Sequence, residues 1–235
     1  MERETLVLLP GMMCDARMFA PQAAEFGSEY DVVIGDLSGE RSISGLASGL
    51  LATLPPTFNL AGLSMGGIVA MEMAGQAPRR VKRLGLLDTN HRADAPERRE
   101  IRNRQIDAVR RGRLRDVIVE EMKPNYLAPA NRSNRALLDL LVDMAMDLGA
   151  DVFVDQTLAL RDREEQTDAL RKYPGPALVL CGEHDTLCPP ERHREIAGLL
   201  AQSELALIPD AGHISTLEYP EAVNTALRSW LARAG

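Results

Sequence analysis

The chain has 235 residues, of which 45% are hydrophobic and 26% are charged, so it can bury a sizeable core without disulfide bonds or metal ions. This balance excludes a disordered chain, and a content of 18 glycines and 14 prolines excludes a collagen-like one. With 27 basic and 34 acidic residues, the net charge of −7 argues against a general affinity for nucleic acid or anionic lipid.

Six short apolar runs predict the strands of a parallel sheet, because continuous apolar runs are typical of strands covered on both faces. In chain order they are Thr5–Leu9, Asp31–Leu37, Thr57–Leu63, Leu84–Asp88, Ala177–Cys181 and Glu204–Pro209. Helices are predicted between these strands and after the last one, at Ala16–Phe26, Ile43–Leu54, Met65–Gly75, Glu191–Leu200 and Ala222–Leu231. This alternation predicts an α/β fold, with a mostly parallel sheet of about six strands and helices on both faces.

One interval, from Thr89 to Pro174, interrupts the alternation and shows only helical spacing. Its apolar residues at i, i+4, i+7 and i+11 form one helical stripe, at Leu137, Leu141, Met144 and Leu148. Flanking helices are predicted at about Pro96–Arg111, Leu114–Met122 and Asp151–Leu170. The gap argues against a TIM barrel. We therefore predict a core formed by residues 1–90 and 175–235, and a helical lid at 91–174 that covers a ligand crevice.

The three cysteines, Cys14, Cys181 and Cys188, are scattered and form no C-x-x-C pair. A disulfide framework or a zinc site is therefore not expected, and a reducing compartment suits the chain. The N-terminal Met-Glu-Arg-Glu precedes a short apolar run, whereas a secretory signal has positive charge and a longer apolar stretch. No run of about 18 apolar residues is present. The sequence predicts a cytoplasmic protein that does not span a membrane.

The motif G-L-S-M-G at residues 62–66 lies between a predicted strand and a predicted helix. In this context G-x-S-x-G forms a nucleophile elbow, a sharp turn that holds the serine in a strained conformation and needs glycine on either side. A helix-entry turn with a capping serine is the alternative. The chain has neither a G-x-G-x-x-G motif nor a P-loop lysine, so no nucleotide site is expected. Ser64 is therefore the predicted nucleophile.

A serine nucleophile needs a base within hydrogen-bond reach. His213 follows the last predicted strand, and parallel strands bring their C-terminal ends to one edge of the sheet, so His213 is the predicted base. His184 follows the fifth predicted strand and stays open as an alternative. His91 and His193 are expected to be surface or structural residues.

A carboxylate must orient the base and stabilise its charged form. Asp185 follows the fifth predicted strand and precedes His213, which gives the order Ser…Asp…His that recurs in one fold class of serine hydrolases. Asp88, at the end of the fourth predicted strand, is the rival. The oxyanion hole is predicted to use the backbone N–H groups of Met65, directly after the nucleophile, and Met12, in the loop after the first strand.

These motifs resemble the α/β-hydrolase superfamily over the range 6–231. The resemblance depends on Leu-Leu-Pro-Gly-Met, Gly-Leu-Ser-Met-Gly-Gly, Gly-Glu-His-Asp and Ala-Gly-His. It is nearest to small lid-bearing serine esterases, such as the carboxylesterases that demethylate pimeloyl-acyl-carrier-protein methyl ester, and to the meta-cleavage-product hydrolases. The chain departs from the family at Pro10, where relatives usually have histidine, and at Leu63, where they often have histidine or tryptophan.

The sequence therefore predicts a serine hydrolase of the carboxylesterase type that cleaves a small-molecule ester or thioester through an acyl-enzyme. This chemistry requires no metal and no organic cofactor. A carbon–carbon bond hydrolase of the meta-cleavage type, a cofactor-free haloperoxidase or perhydrolase, and a non-catalytic ligand-binding member of the fold stay open as alternatives.

Nine arginines lie between residues 92 and 115, against four acidic residues. A solvated helix face with i,i+4 ion pairs is one interpretation of this surplus. The other is that the predicted lid attracts an anionic substrate, such as a carboxylate, an acyl-CoA or an acyl carrier protein.

Overall fold

A computed structural model describes residues 3–234. Within this range the strands are β1 (Thr5–Leu9), β2 (Asp31–Ile34), β3 (Phe58–Leu63), β4 (Val81–Leu87), β5 (Ala177–Gly182) and β6 (Ser203–Ile208). They form one six-stranded sheet in the order β2-β1-β3-β4-β5-β6, and each neighbouring pair is parallel. The predicted parallel α/β sheet is confirmed.

The strands differ in how completely they are covered. The central strands β3 and β5 are buried along their whole length, as their continuous apolar runs predict. The edge strands β2 and β6 are only partly buried, so the prediction that both faces are covered is wrong for them. Strand β4 begins at Val81, earlier than predicted, because the polar Arg83 is buried and donates to Asn59 Oδ1 at 2.8 Å.

Helices cover both faces of the sheet. In the described part of the chain they are α1 (Ala20–Phe26, after a 3₁₀ turn at Ala16–Phe19), α2 (Ile43–Thr53), α3 (Met65–Gln76), α4 (Pro96–Arg110), α5 (Leu114–Asp116), α6 (Arg135–Arg161), α7 (Thr167–Lys172), α8 (Pro190–Leu199), α9 (Ser215–Glu218) and α10 (Pro220–Leu231). Alternate residues of β1 enter two separate core clusters. One cluster includes side chains of α2, α3 and α8, and the other includes those of α1 and α10.

The segment between β4 and β5 is helical, as predicted, and lacks strands at residues 89–174 of the described chain. Helix α6 carries the predicted apolar stripe and continues beyond it, with one break at Gly149, where φ is 82°. The helix predicted at Asp151–Leu170 is therefore divided between α6 and α7. Between α5 and α6 the backbone is irregular, with a π turn at Val117–Met122 and 3₁₀ turns at Lys123–Asn125 and Pro129–Asn131. From residue 3 to residue 234, each helix is too short or too polar to cross a lipid bilayer.

Candidate active site

The turn between β3 and α3 holds Ser64 in a rare backbone conformation, with φ 56° and ψ −116°. A Cβ atom at Gly62 would lie 2.2 Å from the carbonyl oxygen of Gly66, and one at Gly66 would lie 2.0 Å from the carbonyl oxygen of Leu9. Both positions therefore require glycine, as the sequence predicts. The turn stores backbone strain at the residue predicted to be the nucleophile.

His213 lies between Ser64 and Asp185. Its Nε2 is 2.9 Å from Ser64 Oγ, and its Nδ1 is 2.8 Å from Asp185 Oδ2. Because a carboxylate only accepts hydrogen bonds, Nδ1 carries the proton and Nε2 is free to accept from the serine hydroxyl. The other oxygen of Asp185 accepts from the backbone N–H groups of Leu187 and Cys188, at 2.8 and 2.9 Å. The three side chains form one continuous hydrogen-bond path.

The electrostatic surroundings favour the charged form of His213, the imidazolium in which both ring nitrogens carry a proton. Burial by itself lowers the pKa of His213, but the charge and the hydrogen bond of Asp185 outweigh it, and the charge of Glu218 acts in the same direction. The net result is a pKa above its ordinary value. An imidazole of this kind can take a proton from a serine hydroxyl and remain stable while it carries the charge.

The loop that carries His213 is attached to the helical segment. The His213 N–H donates to the carbonyl oxygen of Tyr126 at 2.8 Å, and the two rings meet edge to face with centroids 5.5 Å apart. Glu218 joins the same two parts, since its carboxylate accepts from the N–H groups of Gly212 at 2.8 Å and Ala128 at 2.9 Å. The sequence contains no motif that singles out Tyr126 or Glu218, and we did not predict either.

Asp88, the rival carboxylate, lies at the C-terminal end of β4 and bonds to groups other than His213. Its Oδ1 accepts from the N–H of Gly182 at 2.8 Å, and its Oδ2 accepts from the Ser215 hydroxyl. Burial, followed by the negative charge of Asp185, raises the pKa of Asp88 to about 8. Its two hydrogen bonds tie the last residue of β5, Gly182, to the first residue of α9, Ser215.

His193 supports the Ser64 turn indirectly, through Thr89. Its Nε2 accepts from the N–H of Thr89 at 2.9 Å, and its Nδ1 faces the carbonyl oxygen of Pro189 at 3.2 Å. The Thr89 hydroxyl in turn donates to the carbonyl oxygen of Ser64 at 2.7 Å. Burial lowers the pKa of His193 to about 4, so the imidazole is neutral and acts as a fixed donor and acceptor.

The other two histidines lie away from this path. His184, the alternative base, is exposed, and its Nε2 is 3.9 Å from Asp210. His91 is buried, and its Nδ1 has no hydrogen-bond partner among residues 3–234.

The two predicted oxyanion donors belong to segments adjacent to Ser64. Met65 is the first residue of α3, where a backbone N–H has no acceptor within the helix. Met12 lies in the loop after β1, which is closed by a hydrogen bond from the N–H of Cys14 to the carbonyl oxygen of Gly11 at 3.1 Å. A Cβ atom at Gly11 would lie 3.4 Å from Ser64 Cβ, so this loop is adjacent to the serine.

Two sets of side chains near the path have atoms close enough to share a metal ion. They are Asp185, Cys188 and His213, and Asp88, Cys181 and Asp185, with ligand atoms in each set within 4.8 Å of one another. Burial raises the pKa of both thiols, which disfavours the thiolates that bind metals. The carboxylate of Asp185 is also already occupied by hydrogen bonds. The arrangement suits proton transfer better than metal binding.

A family model described as the alpha/beta hydrolase family matches residues 6–226. The chain belongs to the alpha/beta hydrolase family. This hydrolase-family chain is 29% identical to the dihydrolipoyllysine-residue acetyltransferase component of the acetoin cleaving system of Pseudomonas putida, over 97% of this chain but only 63% of that protein.

Two solved structures resemble this alpha/beta hydrolase along nearly their whole length. One is a thermophilic esterase from Thermogutta terrifontis, solved with malate bound, which is 30% identical, with a TM-score of 0.88 and coverage of 98% of this chain and 90% of that one. The other is the enol-lactonase of Burkholderia xenovorans LB400, with a TM-score of 0.88, 23% identity and coverage of 99% and 93%. At that identity the second likeness supports the fold alone. The named activities differ, so the family does not determine the substrate.

Proposed function

We propose that this chain is a serine hydrolase that cleaves a carboxylic ester or thioester through an acyl-enzyme. The observation that carries the proposal is the continuous hydrogen-bond path from the Ser64 hydroxyl through the His213 imidazole to the buried Asp185 carboxylate. A path of this kind, next to a strained elbow and an unpaired helix N-terminus, has the parts that acyl transfer needs. The esterase at 30% identity supports the same class of reaction.

In the first half of the reaction, Ser64 Oγ attacks the acyl carbonyl while His213 Nε2 takes the hydroxyl proton. The negative charge that forms on the carbonyl oxygen is stabilised by the backbone N–H groups of Met12 and Met65. Asp185 stabilises the imidazolium. His213 then gives its proton to the leaving alcohol or thiol, the bond to the leaving group breaks, and Ser64 carries the acyl group.

In the second half, water takes the place of the alcohol. His213 removes a proton from the water, the resulting hydroxide attacks the acyl carbonyl, and the bond to Ser64 Oγ breaks as His213 returns the proton to it. The products are a carboxylic acid and the free enzyme, and every proton is passed by the same imidazole. No metal or organic cofactor takes part in these steps.

Residues 91–174 are proposed to act as a lid over the site, on a core of residues 1–90 and 175–235. Two hydrogen bonds support this assignment, from the His213 N–H to the carbonyl oxygen of Tyr126 and from the Ala128 N–H to the Glu218 carboxylate, because they attach the helical segment next to the base. A lid keeps water away from the reacting groups and shapes the acyl pocket. The substrate is proposed to be a small molecule, and the location of the protein to be cytoplasmic.

The Ser64→Ala variant tests the nucleophile directly. We expect kcat on the best ester from a screen of acyl and alcohol series to fall by at least about 10³-fold, with an unchanged melting temperature. Ser229→Ala, at an exposed position of α10, is the matched control and should retain full activity. Turnover that survives in Ser64→Ala would remove the proposal.

Two further measurements separate the alternatives. A fluorophosphonate probe should label the native protein and the Ser229→Ala control but not Ser64→Ala. Failure to label the native protein would favour a ligand-binding member of the fold. Faster turnover of a vinylogous diketo acid than of simple esters would favour the carbon–carbon bond hydrolase.

A further inference from the structure

Lys123, in the 3₁₀ turn at Lys123–Asn125, has a buried ammonium group with no hydrogen-bond partner. The residue is only 3% exposed, and its Nζ has no donor or acceptor contact with any residue from 3 to 234. The nearest aromatic group is the ring of Tyr126, whose centroid is 4.5 Å from Nζ. A ring face attracts a cation, but it does not replace the three hydrogen bonds that an ammonium group makes in water.

No carboxylate among residues 3–234 forms an ion pair with this ammonium group. Cys14 is the ionisable group that acts on Lys123, and burial raises the pKa of the Cys14 thiol, which keeps it neutral. Burial also lowers the pKa of Lys123 itself. An unpaired buried charge is unfavourable, and proteins rarely retain one unless it has a partner in some state of the molecule. An arriving carboxylate would restore the pKa of Lys123 and stabilise its charged form.

The position of Lys123 connects it to the candidate active site. Tyr126, whose ring lies against Nζ, also contacts the His213 ring and accepts a hydrogen bond from the His213 N–H. Cys14, which acts electrostatically on Lys123, belongs to the loop that carries the predicted oxyanion donor Met12. Tyr126 therefore connects the ammonium group by direct contact to the base, and Cys14 connects it by charge to the oxyanion loop.

We propose that Lys123 binds an ionised carboxylate of the substrate, and that the substrate is an ester or thioester bearing a second, free carboxylate. The inference rests on the proposed function, because it assigns the substrate class of the same site. The carboxylate forms the ion pair that the free protein lacks, in surroundings where a charge-assisted hydrogen bond is strong. A neutral ester of the same size leaves the ammonium group unpaired and is a poorer substrate.

The kinetic test compares monomethyl and dimethyl esters of the dicarboxylic acids from succinate to adipate. The wild type should prefer the monoanion of at least one chain length, and Lys123→Met should lower kcat/KM for that monoanion by about tenfold or more, mainly through KM. Its kcat/KM for the dimethyl ester should change by less than about twofold. Lys172→Met, at an exposed position of α7, is the control and should leave both values unchanged. A preference that Lys123→Met leaves intact would overturn the inference.

A binding test separates this inference from the proposed function. The monomethyl esters should raise the melting temperature of Ser64→Ala, whereas they should not raise that of the Ser64→Ala/Lys123→Met double variant. If no ester is turned over but this difference is seen, the carboxylate site stands and the hydrolase proposal fails. If Ser64-dependent turnover is seen but the two variants respond equally to the ligand, the carboxylate site fails and the hydrolase proposal stands. Lys123→Met removes an unpaired charge, so its melting temperature without ligand should equal or exceed that of the wild type.

Discussion

Two buried carboxyl groups, Asp88 and Asp185, follow the neighbouring strands β4 and β5 and have different hydrogen-bond partners. Oxygen atoms of the two groups lie within 4.8 Å of each other, too close for both to ionise easily. Asp185 accepts from two backbone N–H groups and from the imidazole N–H. Asp88 accepts from only one backbone N–H and one hydroxyl, and burial, followed by the negative charge of Asp185, raises its pKa. The environment thus separates the roles of two identical side chains.

The Asp88→Asn variant tests this division through the pH dependence of stability. The pKa of Asp88 is raised in the folded protein to about 8, above its unfolded value. Between about pH 4 and pH 8 the folded state therefore binds more protons than the unfolded state, and the free energy of unfolding of the wild type falls as the pH rises through this range. Asparagine does not ionise. Its Oδ1 can accept from the Gly182 N–H, and its NH₂ group can donate to the Ser215 hydroxyl oxygen, which reverses the direction of that bond. We will compare the free energies of unfolding of the variant and the wild type, measured in urea. The value for the variant minus that for the wild type should be larger at pH 9 than at pH 5 by at least about 1 kcal/mol.

Activity provides the control for the same variant. Because Asp185 is the carboxylate that bonds to His213, Asp88→Asn should keep kcat within a few-fold of the wild type. A folded Asp88→Asn protein without turnover would contradict the assignment and would make Asp88 the partner of the base.

At the level of single residues, the sequence predicted which side chains meet but not how their surroundings act. Ser64, Asp185 and His213 could be chosen because each follows a predicted strand, and parallel strands end at one edge. The residues that support the Ser64 turn, His193 and Thr89, could not be predicted, because they are far apart in the chain and neither belongs to a motif. The raised pKa of Asp88 depends on burial and on a second charge, which are properties of the folded molecule.

Among the elements, the short helix α9 connects the helical segment at residues 89–174 to the loop of His213. Its last residue, Glu218, accepts hydrogen bonds from Gly212 in that loop, and from Ala128 and Asn131 in the helical segment. Glycine at position 212 lets the two parts approach, since a Cβ atom there would lie 2.4 Å from the backbone nitrogen of Ala128. This contact sets the position of the His213 loop against the helical segment.

The Glu218→Gln variant tests the contact between these elements. Glutamine places an NH₂ group against backbone donors and removes the charge that helps to raise the pKa of His213. We expect kcat to fall by about tenfold, stability to fall by about 1–3 kcal/mol, and the acid limb of the pH–rate profile to move to lower pH. The exposed Glu221→Gln in α10 is the control and should change none of these. An unmoved acid limb would show that Glu218 has only a packing role.

The elements themselves were predictable where local pattern decides them. The apolar runs of the strands identified the sheet, and the stripe from Leu137 to Leu148 identified the first half of α6. The end of β4 at the site was predicted, but its start was not, because the burial of Arg83 depends on Asn59 from the neighbouring strand. The helix predicted at Leu114–Met122 is α-helical only over Leu114–Asp116 and continues as a π turn, and the 3₁₀ turns that follow it were not predicted.

For the whole molecule, a net charge of −7 coexists with the arginine-rich segment at 92–115. One of its arginines, Arg102, is structural: together with Arg163 it holds the nearly buried carboxylate of Asp94. Other members are exposed, and Arg98, Arg104, Arg110 and Arg111 form no ion pair within the described residues. Arg102 therefore fits neither interpretation of the surplus, because it is buried and its partner is not an i,i+4 residue. Both interpretations concern the exposed arginines.

The exposed group predicts a salt effect that differs from that of Lys123. Screening weakens attraction between exposed charges but acts much less on a buried pair. Between about 0.02 M and about 0.5 M salt, kcat/KM for butyryl-CoA should fall several-fold, while that for the neutral p-nitrophenyl butyrate should stay constant. Replacing Arg98, Arg104, Arg110 and Arg111 by glutamine should remove this dependence and leave the monoanion preference assigned to Lys123 unchanged. Equal salt dependence for both butyryl substrates would mean that the arginines only solvate the helix face.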